Sequence, residues 1–101
     1  MKYIILTFMV QQEGAYWVSE CQELGTSSFG SDEDEALENL FDATEVYLNT
    51  LEELGEAHQV LDEKGVQVFS YKPANLEVRR ARFPAGSRVQ PTVLPLAQAH
   101  P

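Results

Sequence analysis

Cys21, His58 and the abundant carboxylates are the side chains of this 101-residue sequence that could perform nucleophilic catalysis. A nucleophilic cysteine needs a neighbouring base that favours the thiolate. Neither Cys21 nor His58 lies in a recognisable catalytic signature, and Cys21 fits a small buried side chain at the end of a strand better. His58 and His100 are isolated, and there is no CxxC or HxxxH pair to hold a metal. We therefore expect no enzyme, no metal site and no cofactor.

Many of the carboxylates lie in residues 31–55, which have the period of an amphipathic helix. Ser31 is placed to act as the N-cap of this helix, and Gly55 is placed at its C-terminal end. Mostly apolar residues recur every three or four positions and form the side that needs to be buried against a sheet: Leu37, Leu40, Phe41, Thr44, Tyr47, Leu48, Leu51 and Leu54.

The opposite side of this helix is acidic, and no lysine or arginine occurs between residues 31 and 55. One interpretation is a solvated surface. The other is a docking surface for a basic partner, because an electrostatic field of one sign selects partners and speeds their association. We take as partner-binding candidates the helix residues Glu35, Glu38, Asp42 and Glu45 and, with weaker support, three residues near the second predicted strand, Tyr16, Glu20 and Glu23.

The elements around the helix are short strands. Residues 2–10 are apolar on both alternating sides, and residues 15–21 pair with them as an antiparallel hairpin with a four-residue loop. The patterns further predict a weak strand at residues 24–30, a short helix or turn at residues 56–64 and a fourth strand at residues 66–71. The predicted fold class is α+β in the order β-β-β-α-β, a mainly antiparallel sheet with one long helix packed on one face and an extended C-terminal tail.

The charge of the chain changes sign near residue 74. Residues 1–73 contain fifteen acidic residues and three lysines, a net charge of −12, whereas residues 74–101 have a net charge of +3. We therefore expect one domain over 1–73, followed over 74–101 by a basic, Pro-containing tail or edge extension. Residues 76–83 could add an edge strand, and the last eighteen or so residues are expected to be extended or to be ordered only by packing.

The basic residues of this tail have two interpretations. They could contact nucleic acid, or they could neutralise the acidic helix of the same or a neighbouring subunit, which is the interpretation we favour. The residues concerned are Arg79, Arg80, Arg82 and Arg88.

Composition narrows the class of protein. A net charge of −9 argues against a folded surface that tracks phosphate backbones. The single cysteine cannot form an internal disulfide, the apolar run at residues 3–10 is too short for a signal peptide, and no stretch reaches the length of a membrane span. We expect one small cytoplasmic domain.

The order of short motifs in residues 1–73 resembles the HicB-like antitoxin family. The resemblance rests on three blocks: Met1-Lys2-Tyr3; then Gly14, Tyr16, Trp17, Ser19, Glu20, Glu23 and Leu24; then Asp34-Glu35-Ala36-Leu37 with Asn39, Leu40, Ala43, Tyr47 and Leu48. The resemblance implies a pared-down ribonuclease-H-like fold without nuclease activity, and self-association into a homodimer or higher oligomer. It also implies neutralisation of a small basic, mRNA-cleaving toxin of the HicA type.

Two features depart from the family pattern. The turn at residues 24–26, Leu-Gly-Thr, lacks the proline and cysteine that usually precede the helix. Residues 74–101 are interrupted by prolines and cannot form the C-terminal DNA-binding module that full-length antitoxins generally carry, so DNA binding is not expected. The alternative function is an orphan HicB-like domain without a toxin, which acts as an oligomeric interaction module or binds nucleic acid through the arginines of its tail.

Overall fold

The computed structural model describes residues 1–74, 76 and 84–96. An antiparallel sheet of five strands and one long helix confirm the predicted α+β class. The elements, in chain order, are β1 (Lys2–Glu13), β2 (Tyr16–Cys21), β3 (Ser27–Gly30), α1 (Glu33–Glu53), α2 (Ala57–Glu63), β4 (Val68–Phe69) and β5 (Arg88–Leu96).

β1 is the centre of the sheet. Its residues Phe8 to Glu13 pair with β2, and its residues Lys2 to Val10 pair with β5. β4 pairs with Tyr3 and Ile4, which also pair with β5. Because a strand has only two edges, β5 occupies one edge of β1, and β2 and β4 share the other. β3 then extends the sheet beyond β2.

The β1–β2 hairpin is tighter than the sequence predicts. Glu13 pairs with Tyr16, so that only Gly14 and Ala15 form the turn. Gly14 has φ of +61°, a left-handed conformation that glycine adopts without a steric penalty. The predicted four-residue loop is therefore wrong, and β1 extends three residues beyond its predicted end.

α1 begins one residue later than the predicted N-cap implies. The N-cap is Asp32, not Ser31, since the Asp32 carboxylate accepts a hydrogen bond of 2.8 Å from the backbone N–H of Glu35. The other end is where the sequence places it. Gly55, with φ of +73°, follows the last turn and donates its N–H to the carbonyl of Glu52 at 3.1 Å.

Small residues hold α1 against β2 and β3. A Cβ atom on Gly30 would lie 2.5 Å from the backbone nitrogen of Ala36, so glycine is needed for this close approach. The buried hydroxyl of Ser19 donates to the carbonyl of Ala36 at 2.7 Å. The core between the sheet and the helices contains Ile4, Leu6, Phe8, Val10, Cys21, Leu37, Leu40, Leu48, Leu61 and Leu94.

Part of the predicted extended tail is the strand β5, although it contains Pro91 and Pro95. The carbonyl of Thr7, the partner of Pro91, accepts from the N–H of Gln22 on the β2 side at 2.9 Å. Thr7 and Pro91 therefore form a pair without hydrogen bonds between β1 and β5. Pro95 lies four residues on and has the same orientation, so both prolines place their missing donors on the far edge of β5.

The later elements of the chain have different bounds in the structure from those that the sequence predicts. Residues 57–63 form the helix α2, which the sequence leaves as a short helix or turn, and the fourth strand is reduced from 66–71 to two residues. Within residues 74–101, Arg88–Leu96 form β5, which pairs with β1 in the same sheet. The suggested strand at 76–83 lies outside the described residues, apart from residue 76.

Candidate partner-binding surface

Three acidic residues of α1 form what we call the acidic face: Glu38, Asp42 and Glu45. All three side chains are exposed, and none makes a hydrogen bond or an ion pair with another described residue. Their spacings of four and three residues place them on the same side of the helix. Their negative charges are therefore directed to solvent, where a basic partner could meet them.

Glu35, the fourth predicted helix residue, serves the local structure. Its carboxylate accepts hydrogen bonds from Ser31, at 3.0 Å from the backbone N–H and at 3.3 Å from the hydroxyl. With the Asp32 cap, this closes the first turn of α1 from both sides, much as in a capping box. Glu35 is exposed, but it is less available to a partner than the acidic face is.

Glu23 supports the sheet. One carboxylate oxygen accepts from the backbone N–H of Thr7 at 2.8 Å, and the other accepts from the Thr7 hydroxyl at the same distance. This part of the β1 edge lies between the pairing regions of β2 and β4. A carboxylate here replaces the missing strand as acceptor, because a buried backbone donor needs a partner. We assign Glu23 a structural role.

Tyr16 and Glu20 lie on the face of the sheet opposite α1. Ser19 and Cys21 of the same strand point into the core, so the alternation of side chains directs Tyr16, Val18 and Glu20 the other way. Tyr16 is 59% exposed and makes an edge-to-face contact with the exposed Phe29, with ring centroids 6.1 Å apart. The structure therefore separates these two candidates from the acidic face.

Arg88 is the predicted tail arginine that lies within the described residues. Its guanidinium is 3.7 Å from a carboxylate oxygen of Asp34 and 4.0 Å from one of Glu33, at the start of α1. It also donates to the side-chain carbonyl of Gln90 at 2.9 Å. Arg88 thus partly neutralises the acidic helix of its own chain. Arg79, Arg80 and Arg82 lie outside the described residues, and so does His100.

A shallow groove of about 390 Å³ lies between α1 and β5, next to the acidic face. It exists because α1 packs mainly over β1, β2 and β3 and leaves part of β5 uncovered. The groove is lined by apolar side chains, by polar ones from β5 and by charged ones at its rim: Phe8, Leu37, Phe41, Gln90, Thr92, Asp34, Glu38 and Arg88.

Sequence reasoning misses this groove. Phe41 belongs to the predicted apolar side of the helix, but the sequence places it in the core, whereas the structure leaves it only partly buried beside Glu38. The sequence feature that could have indicated the groove is the position of Phe41 on the helix, at the border between the acidic and apolar sides. The contribution of β5 depends on a strand that the sequence does not predict.

Cys21 and His58 are not combined into a catalytic pair. Cys21 is fully buried, and its thiol is 3.8 Å from a carboxylate oxygen of Glu23, whereas His58 is exposed on α2. Burial, helped by the negative charge of Glu23, raises the pKa of the Cys21 thiol to about 11. A thiol with so high a pKa is a poor nucleophile. Within residues 1–74, 76 and 84–96, no three potential metal ligands are grouped.

Comparison of the chain with protein-family models, with curated proteins and with solved structures finds no match. In the part of the chain that the structure describes, no helix has both the length and the apolar character needed to cross a membrane.

Proposed function

We propose that this protein is a HicB-like, antitoxin-type binding protein that acts in the cytoplasm and has no enzymatic activity. It neutralises a small basic, mRNA-cleaving toxin by direct contact. The contact surface is the acidic face of α1, Glu38, Asp42 and Glu45. The observation that carries the proposal is that these three carboxylates lie close together on one side of α1, exposed and without a partner among the described residues, whereas Glu23 and Glu35 bond to the backbone of their own chain.

The acidic face has physical properties that suit this role. Three like charges on one side of a helix slightly destabilise the helix, so they cost the monomer stability. The same charges attract a basic protein and orient it during its approach. The resemblance to the HicB-like family indicates which kind of partner such a surface would bind.

Co-expression with a small basic protein encoded beside this chain tests the proposal. We expect the two proteins to co-purify and the growth arrest caused by the basic protein to be relieved. Glu38→Lys combined with Asp42→Lys should weaken the complex about tenfold or more, because two attractive contacts become repulsive. The matched control is Asp62→Lys with Glu63→Lys, which makes the same change in net charge at exposed positions of α2.

Two results would contradict the proposal. A basic neighbour that neither co-purifies with the protein nor is neutralised by it would remove the antitoxin role. A complex that keeps its affinity in the acidic-face variant at low salt would show that another surface binds, because electrostatic effects are largest there.

A second candidate function is that of an oligomeric interaction module without a toxin. The specific observation in its favour is the exposed aromatic pair Tyr16 and Phe29, since aromatic residues often anchor protein interfaces. Sedimentation of the wild type and of a Phe29→Ser variant tests it. A dimer or higher oligomer that the substitution dissociates supports this function, and a monomeric wild type contradicts it.

A further inference from the structure

The groove between α1 and β5 has the composition of a site for a cationic side chain with an apolar stem. Leu37 and Phe41 provide an apolar wall on the helix side. Asp34 and Glu38 stand at its rim four residues apart, so their carboxylates lie on the same side of α1. An arginine combines hydrocarbon that packs on apolar surface with a planar guanidinium that binds carboxylates and stacks on aromatic rings.

The chain itself places a guanidinium at this groove. Arg88 lines the groove and reaches Asp34 and Glu33 from β5. Its two ion pairs, at 3.7 and 4.0 Å, are long, its side chain is 47% exposed, and its 2.9 Å hydrogen bond to Gln90 joins it to a neutral side chain of its own strand. Exposed ion pairs of this kind contribute little to stability. A guanidinium therefore fits here, but the one present is held weakly and can be exchanged.

We propose that the groove receives an arginine side chain of the basic partner, and that Arg88 is an intramolecular competitor displaced when the partner binds. This inference rests on the proposed function. It identifies the groove as the place where the partner is anchored to that binding surface. The incoming arginine packs its stem on Leu37 and Phe41 and bonds to Asp34 and Glu38. Glu38 has no other partner among the described residues, so it contributes a carboxylate that Arg88 does not use.

A fluorescently labelled hexa-arginine peptide is the probe, with hexa-lysine for comparison. Arg88→Gln removes the competing charge and keeps a polar side chain next to Gln90. We expect the variant to bind hexa-arginine about two- to fivefold more tightly than the wild type, as expected from the loss of weak exposed ion pairs. The matched control is Lys72→Gln, which removes one positive charge from an exposed residue that makes no ion pair with a described residue.

A second substitution places the effect in the groove. Glu38→Gln should weaken hexa-arginine binding, and in that background Arg88→Gln should produce a smaller gain than in the wild type. Hexa-lysine should gain less from Arg88→Gln than hexa-arginine, because an ammonium group cannot bridge two carboxylates in the same planar geometry.

Several results would overturn the inference. Binding of hexa-arginine that Arg88→Gln weakens, leaves unchanged or improves no more than Lys72→Gln would show that Arg88 does not compete. An equal gain in affinity for both peptides would mean that Arg88→Gln acts only through the net charge of the protein. Absence of saturable binding to both the wild type and Arg88→Gln would remove the groove as an arginine site. Failure of the proposed function would be recognised separately, in the co-purification experiment.

Discussion

Two sets of carboxylates in this protein have the same chemistry but different surroundings. Glu23 and Glu35 each accept two hydrogen bonds from neighbouring backbone and hydroxyl groups. Glu38, Asp42 and Glu45, the acidic face, are exposed and make no such contact with any described residue. The first set stabilises the fold, and the second leaves its charge available to a partner. A count of acidic residues therefore overestimates the surface that can bind a basic protein.

The strongest test of this comparison is Glu23→Ala. The substitution leaves the backbone N–H of Thr7 without its acceptor in a partly buried part of the sheet and also removes the bond to the Thr7 hydroxyl. Loss of a charged acceptor from such a site lowers the free energy of unfolding by about 2–3 kcal/mol. Urea denaturation followed by circular dichroism measures the change.

Glu20→Ala is the control for this prediction. Glu20 is an exposed acid of the neighbouring strand and has no hydrogen-bond partner among the described residues, so its removal should change the free energy of unfolding by no more than about 0.5 kcal/mol. Equal effects of the two substitutions would contradict the structural role of Glu23.

The comparison also shows how far the sequence can predict the site. The period of residues 31–55 predicts a long helix and most of its exposed and buried sides, because a single helix is a local structure with a regular repeat. Leu54 is an exception, since it is the C-cap and is 64% exposed although the period assigns it to the buried side. It cannot show which carboxylates are engaged. Glu23 bonds to Thr7, sixteen residues away, and that contact depends on where β2 leaves the edge of β1.

β5 shows a second limit. Prolines argue against a strand when each residue is considered alone. Pro91 and Pro95 are four residues apart, however, so both have the same orientation and are compatible with a strand at the edge of a sheet. The sequence contains this spacing but does not identify β1 as the partner of the strand. The groove beside α1 is equally hidden, since β5 forms one of its sides.

A smaller change in the free energy of unfolding is expected at high pH from the buried thiol of Cys21, next to Glu23. The pKa of Cys21 is raised from its ordinary value of 9.0 to about 11, first by burial and then by the Glu23 charge. The unfolded chain therefore loses this proton at a lower pH than the folded chain does. Stability from this group is complete below about pH 9 and is lost as the pH rises towards about 11, by up to about 2 kcal/mol at about pH 10.5.

The pH dependence of urea denaturation in the wild type and in Cys21→Ala isolates this effect, because the two proteins have all their other ionisable side chains in common. We expect the wild type to lose more stability than Cys21→Ala between about pH 8.5 and about pH 10.5. Parallel curves for the two proteins would mean that the thiol titrates alike in the folded and unfolded chains.

The smallest expected change in the free energy of unfolding is an increase, and it concerns the acidic face. Glu38 has acidic residues four positions away on both sides, Asp34 and Asp42, and like charges at this spacing destabilise a helix by about 0.2–0.5 kcal/mol for each pair. Glu38→Gln should therefore raise the free energy of unfolding at low salt, and about 0.5 M salt should diminish the gain by screening the repulsion. A loss of stability would show that Glu38, like Glu23, supports the fold, and it would remove the central residue of the proposed binding surface. A gain of stability together with weaker binding of the basic partner would mean that the chain keeps an unfavourable charge because the partner requires it.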